Sequence, residues 1–428
     1  MPNGEKPTLN DKAMKRNHKH IIPILTAIVV LTLVPGLRAQ ELNTYLKQAG
    51  ENHPGIQAAY QEYYAALEQV PQVKSLPDPK ISFGYFISPV ETRLGPQQFK
   101  ASLSQMFPWF GTLEEKGKMA AEQARVKYQH FIDKRNAVYR DVKVQWYAIY
   151  KTREAIRITK KNIDILQSLK QLTRRNYQTD KGKMTDLLRL DVNIREQENK
   201  LADLRERLSS QETDFNLLLN RKADAALELP DTIQASTFDI VAYRDSIRNH
   251  PSLTALENKE AALEHQFKTV QKKGYPSFSL ALDYAVIGKR QDMQVNNNGR
   301  DVIMPMVGIS IPLYRKKYEA MEKETRFRID AVKSKQQEKL NNLSTQYKKM
   351  EEHYLNARRQ VELYEKQVTE AERIYKLLKT EYSADGENFF ELMRTRLMVL
   401  EYQLKLEKAR ADRNISVAKL EYLTNQKL

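Results

Sequence analysis

Two pairs of short segments alternate between apolar and other residues with a period of two, which predicts β-strands. The first pair covers 79–90 and 97–107, and the second covers 276–286 and 303–313. In each segment the apolar side chains share one face, and mostly small or polar side chains occupy the other. Each segment has about ten residues, the length of a tilted strand that crosses a membrane. The pattern therefore predicts four membrane-spanning strands.

Each strand pair leads into a very long stretch that contains almost no glycine or proline, which predicts a helix. Apolar positions in the first of these stretches step by threes, fours and sevens, as in a coiled coil. At 1.5 Å per residue such a helix is about 100 Å long. A short break and a return helix follow each long helix, so each forms a hairpin. The long helices are predicted at 112–176 and 314–381, the breaks at 178–185 and 382–388, and the return helices at 186–220 and 389–425.

The order of these elements indicates an internal duplication. Asn52-His53-Pro54 and Asn249-His250-Pro251 each open a helix that precedes a strand pair, so we interpret both histidines as structural landmarks and not as ligands. The chain is mainly helical, with a small transmembrane β part. We divide it into a signal peptide at 1–39, a first repeat at 40–222, a linker at 223–248 and a second repeat at 249–428.

The first 39 residues have the features of a secretion signal. Three lysine or arginine residues within 15–19 precede an apolar run at 21–34, and Leu37-Arg38-Ala39 precedes Gln40. We expect this segment to be cleaved; the alternative is an uncleaved anchor, for which the run is short. The sequence has no cysteine, which excludes disulfides, thiol catalysis and a lipid anchor on an N-terminal cysteine.

Composition and motifs narrow the function. The chain is 41% hydrophobic and 29% charged, a balance that suits long solvated helices. A net charge of +16 is compatible with nucleic acid or anionic lipid. The basic residues are nevertheless spread along helices that also carry many acids, so we predict solvated faces and no nucleic-acid partner. No nucleotide-binding, nucleophile-elbow or zinc motif is present, so we predict no enzyme, no cofactor and no metal site.

Four strands cannot close a membrane barrel, because the smallest barrels have about eight. An open sheet edge in lipid leaves backbone groups unpaired at several kcal/mol each. Several copies of the chain must therefore share one barrel, and the strand count alone permits dimers or trimers. Six aromatic residues are candidates for the membrane interfaces. They are Tyr85, Phe86, Trp109, Phe110, Tyr275 and Tyr314.

Taken together and in order, these elements resemble the TolC-like outer-membrane factor family, the exit ducts of tripartite efflux pumps and type I secretion. Asn176-Tyr177…Gly182…Thr185-Asp186-Leu187 and Glu381-Tyr382…Gly386…Glu391-Leu392 are similar to the two hairpin-tip motifs of that family. The resemblance implies a homotrimer in which a twelve-stranded outer-membrane barrel continues into an α-barrel tunnel, with a mixed equatorial belt. It also implies two partners, a periplasmic adaptor (membrane fusion protein) and an inner-membrane transporter.

The resemblance also implies roles for residues at the tips. In the family, a Thr-Asp pair on the first hairpin bonds to a Tyr and an Arg on the second, which closes the tunnel. Thr185, Asp186 and Tyr382 match this set, whereas Glu387 stands near the Arg position. Another cation would have to replace that arginine, or closure would be looser. The candidates are Lys181, Lys183 and Arg394.

Acidic residues repeated by symmetry narrow the tunnel in the family, and such a ring would attract cations and act as a barrier. Glu391 matches one of these positions, whereas Arg394 stands at the other. An equally good interpretation is that Asp186 and Glu391 cap the return helices. The candidates for adaptor contact at the tips are Gly182, Lys183, Asp385 and Gly386.

Two further segments indicate which class of substrate the protein exports. Pro77-Asp78-Pro79 and the Gln-Met-Phe-Pro-Trp-Phe-Gly run at 105–111 look more like the branch paired with metal-exporting pumps than the multidrug or secretion branch. We therefore predict a passive outer-membrane exit duct, with metal cations as a candidate cargo. The alternative is a periplasmic coiled-coil adaptor or scaffold without a membrane barrel, although one hairpin flanked by β-rich modules would then be expected. A nucleic-acid-binding coiled coil conflicts with the secretion signal.

Overall fold

The computed structural model describes residues 40–230 and 232–426, so the predicted signal peptide lies outside the described residues. The described chain is mainly helical and contains a four-stranded antiparallel sheet. The elements are α1 (Gln40–Asn52), α2 (Pro54–Lys74), β1 (Lys80–Thr92), β2 (Gly95–Phe107), α3 (Thr112–Gln178), α4 (Met184–Leu218), α5 (Ile240–Tyr243), a 3-10 turn (Arg244–Asn249), α6 (Pro251–Lys273), β3 (Ser277–Ile287), β4 (Val302–Ser310), α7 (Arg315–Asp385) and α8 (Phe389–Leu423).

Both Asn-His-Pro motifs begin a helix through their histidine. The backbone N–H of Gly55 donates to His53 Nδ1 at 3.0 Å, and the N–H of Ser252 donates to His250 Nδ1 at 3.2 Å. The proline that follows occupies the first helical position, where no N–H is needed. The duplicated motif is therefore a helix N-cap, which is the structural role expected from the sequence.

The long helices α3 and α7 contain 67 and 71 residues, so each is roughly 100 Å long. The structure places the end of α7 beyond the predicted limit of Glu381. The helix continues until Gly386, whose left-handed backbone (φ 76°) provides the C-terminal stop that glycine adopts easily. Tyr382 is therefore helical, and the second break shortens to 386–388. Among the described residues, no helix combines the length and hydropathy that a membrane span requires.

The sheet has the strand order β1-β2-β3-β4, with each neighbour antiparallel. Its register brings Ile81, Leu103, Leu282 and Pro305 into one row across the four strands. This apolar face is exposed, and Phe83 on it has an exposed fraction of 72%. An apolar face of this extent is typical of contact with lipid, and the period-two pattern predicted it.

The fourth strand is shorter than the sequence pattern suggests, because it ends at Ser310 and not at Leu313. Ser310 pairs with Ser277, the first residue of β3, so the chain beyond Ser310 has no strand beside it to pair with. Pro89 of β1 and Pro305 of β4 lie in the two edge strands, and Pro96 is the second residue of β2. A missing N–H is tolerated at an edge because it interrupts no internal ladder.

The helices follow the order of the strands. Because α2, α3, α6 and α7 are continuous with β1, β2, β3 and β4, neighbours in the sheet are also neighbours in the helical layer. Farther along, α3 packs against α4 and α8, and α7 packs against α8. The linker lies against α8, where Asn414 Nδ2 donates to the carbonyl of Gln234 at 2.9 Å. Two helical hairpins therefore lie side by side, joined by the α3–α8 contact.

Candidate functional site

The two hairpin tips share one hydrophobic core beneath their breaks. Side chains from α3, α4, α7 and α8 all contribute, and Tyr382 of α7 is fully buried among them. The first tip can therefore not move away from the second without exposing this core. Its buried members are Leu166, Leu169, Leu190, Ile194, Ala371, Tyr375, Tyr382, Phe389, Leu392, Met393 and Val399.

Three hydrogen bonds cross between the hairpins at this level. The hydroxyl of Tyr382 donates to Thr173 Oγ1 at 3.0 Å, and Asn176 Nδ2 donates to the carbonyl of Tyr382 at 3.0 Å. Nearer the tip, Lys181 Nζ donates to the carbonyl of Ala384 at 3.4 Å. Burial raises the pKa of Tyr382, so its hydroxyl remains protonated and able to donate at neutral pH. These contacts bind α3 and the first tip loop to α7.

The tip residues suggested by the resemblance occupy neighbouring positions, but their bonding differs from the family pattern. Thr185 and Asp186 lie in the first turn of α4, with Thr185 exposed and Asp186 partly buried. The hydroxyl of Tyr382 bonds to Thr173 of α3 and not to the Thr185–Asp186 pair. Asp186 is still close enough for its charge to act on Tyr382, and burial raises the pKa of the Asp186 carboxyl.

Glu387 stands near the position where the family has an arginine, and only one of the three candidate cations makes a contact that could replace it. Glu387 is exposed, and its backbone N–H donates to Asp385 Oδ1 at 2.9 Å. Lys181 reaches the second hairpin through a backbone carbonyl, whereas Arg394 Nη1 lies 3.9 Å from Glu391 Oε2 on its own helix. Of the three candidate replacement cations, Lys181 is the one with a hydrogen bond to the other hairpin.

Asp186 and Glu391 have the positions in their helices that the capping interpretation requires. Asp186 and Glu391 lie in the first turns of α4 and α8, where the helix dipole favours a negative charge. The N-cap residues themselves are Lys183 and Asn388, and neither side chain makes a capping hydrogen bond. The two carboxylates have other partners: the Asp186 carboxyl is hydrogen-bonded with the backbone of Lys183, and Glu391 Oε2 lies 3.9 Å from Arg394 Nη1.

The candidate adaptor contacts lie on the two breaks or directly beside them. Lys183 and Asp385 are exposed, whereas Gly182 and Gly386 are partly covered. A Cβ at Gly386 would lie 2.0 Å from the carbonyl oxygen of Lys181, so the two tip loops touch through their backbones. The loops therefore offer one joint surface to a partner.

Most of the candidate interface aromatics cluster where strands become helices. Trp109 stacks on Tyr275 at 5.1 Å between ring centroids, and Phe110 packs edge-on against Trp109 at 5.7 Å. Tyr314 is exposed at the start of α7. The remaining two lie in β1: Tyr85 points outward on the apolar face, and Phe86 lies where the register with β2 shifts.

The sheet face opposite the apolar one carries a charged pair. Asp283 of β3 forms an ion pair with Lys100 of β2 and accepts a hydrogen bond from Ser102. A charged pair facing lipid would be costly, so this face lies toward water in a membrane-bound sheet. The structure thus distinguishes a lipid-facing side from a water-facing side.

A family comparison settles the class of this protein. The model of the family described as outer membrane efflux protein matches residues 45–221 and 242–426, more than half of the chain. The chain belongs to this family. The TolC-like membership predicted from the sequence is therefore confirmed, and membership of an efflux family places the protein among transport proteins and not among enzymes.

Solved structures of outer-membrane channels share the fold of this outer membrane efflux protein. VceC from Vibrio cholerae is 14% identical, with 90% of this chain and 96% of that chain covered at a TM-score of 0.74. CusC, whose structures describe transmembrane channel formation, is 13% identical, with 92% and 95% covered at 0.75. Campylobacter jejuni CmeC is 12% identical, with 90% and 85% covered at 0.74. No curated protein sequence matches the chain.

The sequence pattern did not predict several buried polar residues between the helices of this efflux protein. Arg396 of α8 is buried, donates from Nε to Asn162 Oδ1 at 2.8 Å, and lies 5.5 Å from the ring centre of Tyr375. Burial lowers the pKa of this guanidinium. A signal was present, because Asn162, Thr173 and Asn176 continue the three-and-four spacing of their apolar neighbours. Within 40–230 and 232–426, no group of three His, Asp or Glu side chains is arranged to hold a metal ion.

Proposed function

We propose that three copies of this outer membrane efflux protein form the exit duct of a tripartite efflux pump. The observation that carries the proposal is a four-stranded sheet with an exposed apolar face, joined directly to helices of 67 and 71 residues. The duct would conduct cargo passively from an inner-membrane transporter and a periplasmic adaptor to the outside. The signal peptide at 1–39 would deliver the chain to the periplasm and then be removed.

The sheet itself supports a shared barrel. Strands β1 and β4 are its two edges, and their unpaired backbone groups would be left in lipid unless another copy pairs with them. Pairing β4 of one copy with β1 of the next in a closed ring of three gives twelve strands. The face that carries Lys100 and Asp283 would then line the water-filled interior.

The tips would close the periplasmic end and receive the adaptor. In the arrangement described above, buried contacts of Tyr382 hold the two hairpins of one protomer together. Thr185, Asp186 and Glu391 would surround the narrowed end, and threefold repetition would bring the charges of the two carboxylates near the axis. The joint surface of the tip loops would form the adaptor-binding site.

We further propose metal cations as the cargo class. Support comes from the two segments at 77–79 and 105–111 that resemble the metal-exporting branch. Deletion of the gene should sensitise cells to soft transition-metal ions, and re-expression should restore resistance. Sensitisation to hydrophobic drugs alone would contradict this cargo while leaving the duct intact.

The duct itself is tested by the location and mass of the detergent-extracted protein. We expect a trimer in the outer-membrane fraction, with an N-terminus that lacks the signal segment. Reconstitution of that trimer in a planar bilayer should give ion-conducting channels. A periplasmic monomer or dimer without conductance would contradict the shared barrel.

A further inference from the structure

A buried arginine between the two hairpins has no carboxylate beside it. Arg396 of α8 is 4% exposed, and it forms no ion pair with the residues that the structure describes. Two more exposed arginines of the same helical layer do have carboxylate partners. Arg157 Nη2 of α3 lies 2.7 Å from Glu154 Oε2, and Arg410 Nη2 of α8 lies 2.9 Å from Glu365 Oε1. A buried cation without a neighbouring opposite charge costs free energy, so the missing charge at Arg396 requires an explanation.

The groups that surround this guanidinium do not supply the opposite charge. The charge of Glu372 acts on Arg396 from a distance, and Glu372 Oε1 accepts a hydrogen bond from Gln403 Nε2 at 2.7 Å. Tyr375 presents its ring, whose centre lies 5.5 Å from Arg396 Cζ. An aromatic face attracts a cation but carries no net charge that would neutralise it. Among the described residues, the positive charge of Arg396 therefore has no counter-ion.

The hydrogen-bonding groups left over on this side of α3 are donors. Arg396 Nε donates to Asn162 Oδ1 at 2.8 Å, which leaves Asn162 Nδ2 as the free end of the amide. Asn162 is 0% exposed, and its Nδ2 has no hydrogen-bond partner in the described chain. Thr159 precedes it by three residues on the same face of the helix, is also fully buried, and has an unpartnered hydroxyl. Buried polar groups rarely remain without a partner.

Donors gathered around a buried positive charge favour an anion as the ligand. A water molecule would accept from some of these groups but would leave the charge of Arg396 uncompensated. The terminal nitrogens of Arg396 form no hydrogen bond with the described residues, yet solvent just reaches them, so a small ion has access. The exposed fraction of 4% favours a single atom over phosphate or sulfate, which would need room for several oxygen atoms.

We propose that each protomer binds one chloride ion between α3 and α8. The ion accepts hydrogen bonds from the terminal nitrogens of Arg396, from Asn162 Nδ2 and from the hydroxyl of Thr159. Hydrogen bonds in which one partner is ionised are stronger than neutral ones. Arg396 lies between Met393 and Val399 of the core that the hairpins share. The chloride therefore joins the first hairpin to the second beside that core, within one protomer and independently of the trimer.

Thermal unfolding of the detergent-extracted protein tests the proposal when sodium chloride replaces sodium gluconate at constant ionic strength. Because a ligand that binds only the folded chain stabilises it, Tm should rise with chloride concentration and level off as the site fills. Arg396→Met should abolish this saturable rise. Thr159→Val should increase the chloride concentration at half of the rise about fivefold, the factor that one hydrogen bond supplies. The matched control is Arg359→Met, which removes an exposed arginine of α7 and should keep the full rise.

Bromide provides a second measurement on the unmodified protein, which also covers the case in which Arg396→Met does not fold. A crystal soaked in sodium bromide should show an anomalous-scattering peak within hydrogen-bonding distance of Arg396 and Asn162 Nδ2. The site would be overturned by the same chloride dependence in Arg396→Met and Arg359→Met, or by the absence of a bromide peak there. Neither result would affect the proposed duct, which the trimer mass and the membrane location test separately.

Discussion

If the tips close the duct as proposed, the hydroxyl of Tyr382 offers the most direct test of what holds them closed. Tyr382→Phe removes one oxygen atom and leaves the buried ring in place. The partner, Thr173 Oγ1, is then left without its donor in a site where Thr173 is 0% exposed. Because water cannot reach this site in the closed arrangement, the closed tip should be destabilised by the loss.

The size of the effect follows from the cost of an unpaired buried polar group, about 1–3 kcal/mol. If the bond exists only in the closed arrangement, the ratio of open to closed tips rises by the corresponding factor. At 1.4 kcal/mol for each factor of ten, the increase is between about 5-fold and 150-fold. Thr173→Val combined with Tyr382→Phe removes both partners, so the double variant should lie closer to the unmodified protein than Tyr382→Phe alone.

The assay is the open probability of single channels in a planar bilayer. The chain supplies a matched control in Tyr375, which lies in the same core and on the same helix, but whose hydroxyl has no hydrogen-bond partner among the described residues. Tyr375→Phe should therefore leave the open probability unchanged. If both tyrosine variants opened the channel equally, or if Tyr382→Phe had no effect, the hydrogen bond to Thr173 would not be what holds the tip closed.

Three further predictions concern stability. His250 is fully buried, and burial lowers its pKa from 6.5 to about 4, so below pH 6.5 the unfolded chain binds a proton that the folded chain does not. The free energy of unfolding should therefore fall by about 1.4 kcal/mol per pH unit as the pH falls from 6.5 toward 4. The variant His250→Asn keeps an N-cap acceptor but cannot titrate, so its Tm should decrease less between pH 7 and pH 5 than the Tm of the unmodified protein. Arg396→Met should destabilise the protein by about 1–3 kcal/mol in denaturant unfolding, because Asn162 Oδ1 loses its donor, and Asn162→Leu in the same chain should recover part of the loss. Gly386→Ala places a Cβ 2.0 Å from a carbonyl of the first tip and should increase proteolysis at the tips, whereas Gly84→Ala, with nothing within 4 Å, should not.

Much of the fold could be predicted because it depends on local patterns. The strand faces follow from strict alternation, and the long helices follow from the near absence of glycine and proline. The end of β4 could not be predicted this way, because it depends on where β3 begins. The apolar alternation continues through Ile311 and Leu313, but a strand needs a neighbour as well as a pattern.

The contacts at the tips could not be predicted from local patterns either, because they join residues that are far apart in the sequence. The resemblance matched Tyr382 with the Thr185–Asp186 pair, whereas in the structure the hydroxyl of Tyr382 bonds to Thr173. Thr173 lies within the helix predicted at 112–176, but its contact with Tyr382 depends on how α3 and α7 pack, which the pattern within one helix does not specify. The sequence does indicate such buried pairs, because they occur where a polar residue occupies a position of the apolar heptad spacing. Asn162 and Asn176 occupy such positions, as Thr173 does.

The order of the elements implies that barrel assembly and tip closure are separable. Because α2, α3, α6 and α7 continue β1 to β4, pairing of β4 with β1 of the next copy brings α7 beside α2 of that copy at the same time. The Tyr382 contacts, by contrast, lie within one protomer, near the far end of a helix of roughly 100 Å. A tip variant should therefore alter conductance without altering the trimer mass or its outer-membrane location. A substitution that weakens the pairing of β4 with β1 of the next copy should alter the conductance, the trimer mass and the outer-membrane location, because all three depend on the closed barrel.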